Sequence, residues 1–199
     1  EKVPAINAPT TLEDLLNQKL KGRIAIANPL FGTTACHAAA LAEVMGQEGA
    51  LAYFKALKAN GVRVFEGNSV VRDAVASGEV LAGLTDTDDV LIGIQRGMEI
   101  AMTLPGQAEN GRGTLVIPNS VALVANAPHP KEARLFIDWL LSSKAEKSFS
   151  VPERGQFPVR VGLAAASGAP AGVKPMEIDW NEVSRNTTAF SRKVGEILD

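Results

Sequence analysis

Apolar residues along the first hundred positions fall into short runs separated by longer amphipathic stretches, the pattern of strands alternating with helices. Residues 23–28 read as a buried strand, followed by one helix over 33–46 and a second over 47–59. The pair Asn60-Gly61 is a good terminator for that second helix. Val62, Val64 and Phe65 mark the next strand, and Asn68-Ser69 reads as the cap of a helix running to Gly78. Residues 81–85 give a third strand, 86–97 a fourth helix and 100–104 a fourth strand. Ahead of them, Thr11 and Asp14 stand at capping-box spacing for a helix start. Strands joined through helices predict an α/β fold, with a parallel or mixed sheet covered by helices on both faces.

The second half is less regular. Residues 105–113 form a polar, glycine-rich break. Beyond it, 114–117 and 121–124 predict two short strands or one bent strand, because Pro118 removes a ladder donor. Pro130 suits the first position of a helix, with His129 as its candidate cap. Ala133, Phe136, Ile137, Leu140 and Leu141 then share one helical face, which predicts a helix packed against something. Residues 150–158 read as loop and 161–175 as an Ala/Gly/Pro-rich linker laid over a lobe. Residues 182–198 read as a closing helix.

Composition narrows the function. With 199 residues, 46% hydrophobic and 21% charged, the chain can build one or two cored domains. A net charge of -2 gives no electrostatic case for nucleic acid or anionic membranes. No apolar run approaches the roughly 20 residues of a membrane span. The single cysteine, Cys36, excludes an internal disulfide. Aromatic residues, at 5%, are too sparse for a base- or sugar-stacking platform.

The chemistry-bearing residues gather where strands run into helices. Gly32-Thr33-Thr34 opens a helix directly after a strand, so unpaired backbone N–H groups and two hydroxyls point at one spot suited to an anion. An ordinary threonine cap is the equally weighted alternative. Asn68 and Ser69 offer a second set of donors, and Asp86, Thr87 and Asp88 open the helix over 86–97. All three groups follow strands and precede helices, so they are expected to converge on one edge of the sheet, where α/β folds collect ligands. Asp86 is the acidic residue expected to face the ligand. Asp88 and Asp89 suit a helix N-terminus without any ligand, and Arg72 reads as an exposed surface arginine more readily than as an anion clamp.

Other chemistries fail on spacing. The EF-hand pattern wants glycine and glutamate where Leu91 and Gly97 stand. Cys36 and His37 are adjacent on a helix and do not face each other; alanines around Cys36 indicate a packed core thiol. Two distant histidines make no zinc site. Residues 106–113 lack the phosphate-loop spacings. Trp139 and Trp180 read as packing residues. No catalytic residue, cofactor motif or metal cluster is identified, and the expectation is a protein that binds a small molecule and does not transform it.

Three segments resemble the solute-binding proteins of ABC importers, in particular the group typified by ferric-ion binders. They are Lys21-Gly-Arg-Ile-Ala-Ile-Ala-Asn-Pro with its Gly-Thr-Thr helix start, the stretch from Gly67 to Asp86, and Gly113-Thr-Leu-Val-Ile-Pro-Asn-Ser-Val-Ala-Leu-Val with the helix after it. The resemblance implies a type II periplasmic-binding-protein fold of two lobes closing on a ligand by a hinge. It implies a second lobe over 10–104, a segment returning to the first lobe over 114–157, and a linker plus closing helix over 158–199. It also implies an incomplete first lobe, with the N-terminal part removed or never present, and self-association through that lobe as an option.

The implied function is capture of a small anionic solute, such as a phosphorylated sugar or phosphonate, for a membrane permease. The implied location is periplasmic or extracellular, lipid-anchored or soluble. Ferric iron fits less well. Its binders place adjacent tyrosines where this chain has Asp86-Thr87-Asp88-Asp89, and the only tyrosine is Tyr53. The alternative is the cytoplasmic effector-binding domain of a LysR-type regulator, similar in architecture and length.

Overall fold

Four consecutive residues, Ile24–Ala27, form β1 and are buried on both faces, and the rest of the fold is arranged around them. The computed structural model describes residues 8–151, 154, 156–160, 162–163 and 172–199. Most of the predicted linker over 161–175 therefore lies outside the described residues. In chain order after β1 come α1 (Gly32–Ala59), β2 (Arg63–Phe65), α2 (Asn68–Ala76), β3 (Ala82–Leu84) and α3 (Thr87–Gln95). Then follow α4 (Pro130–Leu140), α5 (Ser143–Phe149) and α6 (Trp180–Leu198).

The strands pair in the order β2-β1-β3, both pairings parallel. Side chains of a strand alternate between faces, and β1 uses both. Ile24 and Ile26 enter the larger core, with Leu41, Phe54 and Leu57 of α1 and Val183, Phe190 and Val194 of α6. Ala25 and Ala27 enter a smaller core with Val71 and Ala74 of α2 and Val80. Full burial of each isoleucine contributes about 1.5–3 kcal/mol. On the other face small residues admit α2 closely: a Cβ on Gly83 of β3 would stand 2.4 Å from Val71 Cγ1.

The helical stretch of α1 realises the two helices expected from the sequence. Gly46 sits at φ 72°, ψ 154°, which breaks the helix between them. Asn60 ends the second helix and is buried, its amide donating to the carbonyls of Leu15 and Asn17 (2.8 and 3.2 Å). The capping box also forms. Asp14 N–H donates to Thr11 Oγ1 (3.1 Å) and Thr11 N–H to Asp14 Oδ2 (2.9 Å), although only two short 3-10 turns, Glu13–Leu16 and Gln18–Leu20, follow.

Several expectations are corrected. Residues 100–104 and 121–124 are not strands. At 114–117 only an isolated bridge, Thr114 to Pro175, is formed. A strand exists only with a ladder partner beside it, and β3 pairs with β1 alone. The amphipathic helix is present as α4, but none of its residues is buried. Phe136 and Trp139 stack on each other, centroids 5.8 Å apart, on an exposed face. Trp139 and Trp180 are 48% and 39% exposed, so neither is a core residue. His129 stands at the N-cap of α4 without a side-chain cap bond. The sequence reading missed α5, whose signal was Ser142, the cap accepting from Ala145 N–H.

Candidate functional site at the carboxyl edge of the sheet

Because β1 sends its chain to β2 on one side while β3 lies on the other, the connections diverge at the carboxyl end of β1, the kind of position where open parallel sheets collect ligands. Three helices begin at that edge. Their N-cap positions are Phe31, Gly67 and Asp86, and none of the three makes a side-chain cap bond. By contrast α5 and α6, elsewhere in the fold, are capped by Ser142 and Asp179. In the first turn of α2, Val70 N–H is taken by the Gly67 carbonyl (3.1 Å), and no N-cap side chain takes any other first-turn N–H of α1, α2 or α3.

One side chain from each junction meets the other two. Thr33 Oγ1 donates to Asp86 Oδ2 at 2.9 Å. The Asn68 amide donates to Thr33 Oγ1 at 2.8 Å and to Asp86 Oδ2 at 2.7 Å. Thr85 Oγ1 donates to the Asn68 carbonyl at 2.9 Å, fixing the start of α2 against the end of β3. The expected convergence of the three loops is thus a geometric fact. Thr33 and Asn68 are not caps; both lie inside their helices and reach across to a neighbouring junction.

The remaining expected residues sit around this triad. Thr34, Thr87 and Asp88 are half-buried, whereas Gly32 and Ser69 are exposed. Gly32 has φ 58°, a left-handed conformation that favours glycine and turns the chain from β1 into α1. Phe31, beside it, is 68% exposed.

The electrostatics are acidic. Carboxylate oxygens of Asp86, Asp88 and Asp89 all lie within 4.8 Å of one another. Burial pushes the Asp86 carboxyl above the ordinary aspartate range, hydrogen bonds from Thr33 and Asn68 pull back, and the Asp88 charge pushes it up further. Asp89 is raised for the same leading reason, burial, with repulsion from Asp88 next. Arg72 is not the exposed arginine expected from the sequence. It is buried between α2 and α3, with Nη2 2.7 Å from Asp73 Oδ1 and Nη1 3.4 Å from Asp89 Oδ1. Its role is to tie the two helices and offset part of the acidic charge.

Two groups outside the edge, Cys36 and Tyr53, are chemically quiet. Burial raises the Cys36 thiol and so weakens it as a nucleophile. Tyr53 donates to the Leu12 carbonyl (3.2 Å) and is buried in the core, remote in sequence from all three junctions.

Comparison with known proteins decides the family. The family model for bacterial extracellular solute-binding proteins matches residues 1–174. The chain belongs to that family. A Salmonella typhi relative, provisionally named as a 2-aminoethylphosphonate-binding periplasmic protein, is 26% identical over 192 residues, covering 92% of this chain and 56% of the relative. The Fe(3+)-binding periplasmic protein of Serratia marcescens is 28% identical over 207 residues, covering 99% and 57%. This member of the family thus spans little more than half the length of the curated relatives it matches. Among solved structures, the ferric binding protein from Campylobacter jejuni superposes with a TM-score of 0.80 at 19% identity, over 98% of this chain and 64% of that one.

These matches establish the type II periplasmic-binding-protein architecture and the resemblance to the ferric-binder group that the three motifs carried. An extracellular solute-binding protein works outside the cytoplasmic membrane, as expected from the sequence. Among the described residues, no helix is long and apolar enough to cross a membrane.

Proposed function

We propose that this chain belongs to the solute receptor of an ABC importer and holds a small solute at the carboxyl edge of its sheet, between α1, α2 and α3. The observation that carries the reading is the hydrogen-bonded triad of Thr33, Asn68 and Asp86, one residue from each of three helix starts that lack side-chain caps. Free first-turn N–H groups and the positive ends of three helix dipoles favour an anionic group. The receptor delivers its guest to a membrane permease and makes or breaks no bond in it.

The three carboxylates add a condition. A purely anionic guest would meet Asp86, Asp88 and Asp89 at close range, with Arg72 offsetting only part of their charge. A solute carrying both an anionic and a cationic group satisfies both halves of the edge: amides and hydroxyls for the anion, carboxylates for the cation. 2-Aminoethylphosphonate, after which the Salmonella relative is provisionally named, has both. A second reading draws on the carboxylate cluster itself, which offers hard oxygen ligands to a metal ion as cargo. Phenolate ligation is not available to it there, since the one tyrosine, Tyr53, is occupied in the core.

Isothermal titration of the full chain separates these readings. The panel is 2-aminoethylphosphonate, fructose 6-phosphate, thiosulfate and ferric citrate. Binding of the aminophosphonate at one site per chain, lost at least tenfold in Thr33→Ala and Asp86→Asn, is the expected result. Uptake of ferric citrate alone favours the metal reading, and silence across the panel contradicts both.

A further inference from the structure

The acidic tip of α3 is joined to a part of the molecule that the triad does not reach. Gln156 Nε2 donates to Asp88 Oδ2 at 3.2 Å, and Asn119 Nδ2 donates to Gln156 Oε1 at 2.6 Å. Asn119 and Gln156 are 37 residues apart and belong to the stretch 114–157, outside the three-stranded unit. Neither was a candidate from the sequence, where an isolated asparagine and an isolated glutamine carry no signal. Asn119 is exposed and Gln156 half-buried, and among the described residues the side-chain hydrogen bonds of the pair run to each other and to Asp88. What orients them is the carboxylate of Asp88.

We propose that Gln156, oriented by Asn119, is a ligand-binding residue that forms the opposing wall of the site, and that binding exchanges its hydrogen bond to Asp88 for one to the anionic group of the solute. The inference rests on the proposed site at the sheet edge. Its chemistry is a swap of hydrogen-bond partners at Gln156. Without a guest, Asp88 accepts from the Gln156 amide. With a guest bound, the cationic group takes the Asp88 carboxylate, and the released Gln156 N–H donates to the anionic oxygens. Both acceptors are anionic, so the Gln156 hydrogen bond keeps its charge-assisted strength through the exchange. The same swap draws residues 119 and 156 onto the guest and couples occupancy of the sheet edge to the position of that stretch.

The test is calorimetric titration of the full chain with 2-aminoethylphosphonate, comparing the unsubstituted protein with Gln156→Ala, Gln156→Glu and Asn119→Ala. Gln156→Glu keeps the shape, removes the donor and adds a negative charge beside Asp88. The expected losses in affinity are about tenfold for Gln156→Ala, about a hundredfold for Gln156→Glu and severalfold for Asn119→Ala. In ¹⁵N-labelled protein the Gln156 side-chain NH₂ signal, assigned by its loss in Gln156→Ala, should move as ligand is added. Unsubstituted protein that binds, with both Gln156 variants within twofold of it and an unmoved NH₂ signal, overturns this inference and leaves the sheet-edge site standing. Failure of the unsubstituted protein to bind any member of the panel above overturns both. Melting curves taken on each variant identify any that fails to fold, and the NH₂ signal in the unsubstituted protein then decides.

Discussion

Asp86 carries two costs that make sense only together. Its carboxyl is half-buried and sits beside two other aspartates, so ionisation is disfavoured, yet Thr33 and Asn68 both donate to it. A carboxyl whose pKa is raised on folding destabilises the native state while it is ionised. That cost is complete above the folded pKa and fades as pH falls through it towards the unfolded value. Asp86→Asn keeps an acceptor for Thr33 and Asn68 and removes the charge. It should raise the melting temperature at pH 7, on the order of 2 °C, and flatten the acid-side gain, while abolishing solute binding; differential scanning calorimetry between pH 4 and 7 reads the first two effects.

His37 gives the opposite slope. Burial lowers its pKa to about 4, and it has no hydrogen-bond partner among the described residues. The unfolded chain therefore takes up a proton near pH 6.5 that the folded chain refuses until about pH 4. Stability should fall as pH drops through that window, and His37→Leu should remove the loss. An unchanged pH–stability curve in His37→Leu would place the histidine in water.

At the scale of elements, what the sequence made legible was the half of the molecule whose elements complete each other. β1 is an apolar run followed by a glycine-marked turn; Asn60-Gly61 stops α1, and the carboxyl-edge convergence follows once parallel strands are recognised. The stretch 100–124 was misjudged for a physical reason. Apolar residues such as Val116, Val121 and Val124 say that a segment favours cover, and not which neighbour supplies a ladder. Arg72 was misjudged because an arginine in a helix is ordinarily solvated, and only the packing of α2 on α3 shows it enclosed. Asn119 and Gln156 were invisible because their meaning lies in a contact between distant segments.

Two substitutions test this division. Phe190 of α6 is buried and Phe136 of α4 is 59% exposed. Phe190→Ala should cost about 3–5 kcal/mol, and Phe136→Ala within about 0.5 kcal/mol, both read by urea denaturation. Gly83→Ala should cost about 1–3 kcal/mol, because the new Cβ drives into Val71. A neutral Gly83→Ala would mean that α2 rides farther from the sheet than described.

For the whole molecule, the three-stranded sheet is a device for bringing helix starts together. Parallel strands in the order β2-β1-β3 place every strand-to-helix turn on one edge, so residues 33, 68 and 86, far apart in the chain, share hydrogen bonds. The two cores on either face hold that edge in place. The exposed apolar face of α4 lies on the other half, which contributes Asn119 and Gln156 to the acidic turn. Family membership and this geometry are separate supports for the proposed receptor. The most direct measurement is a ¹H–¹⁵N spectrum of the full chain during addition of 2-aminoethylphosphonate. Backbone amides in the first turns of α1, α2 and α3 should shift together, with one saturation curve and the largest changes at residues 33, 68 and 87. Shifts gathered on any other surface, or none at millimolar solute, would contradict a site built from these three helix starts.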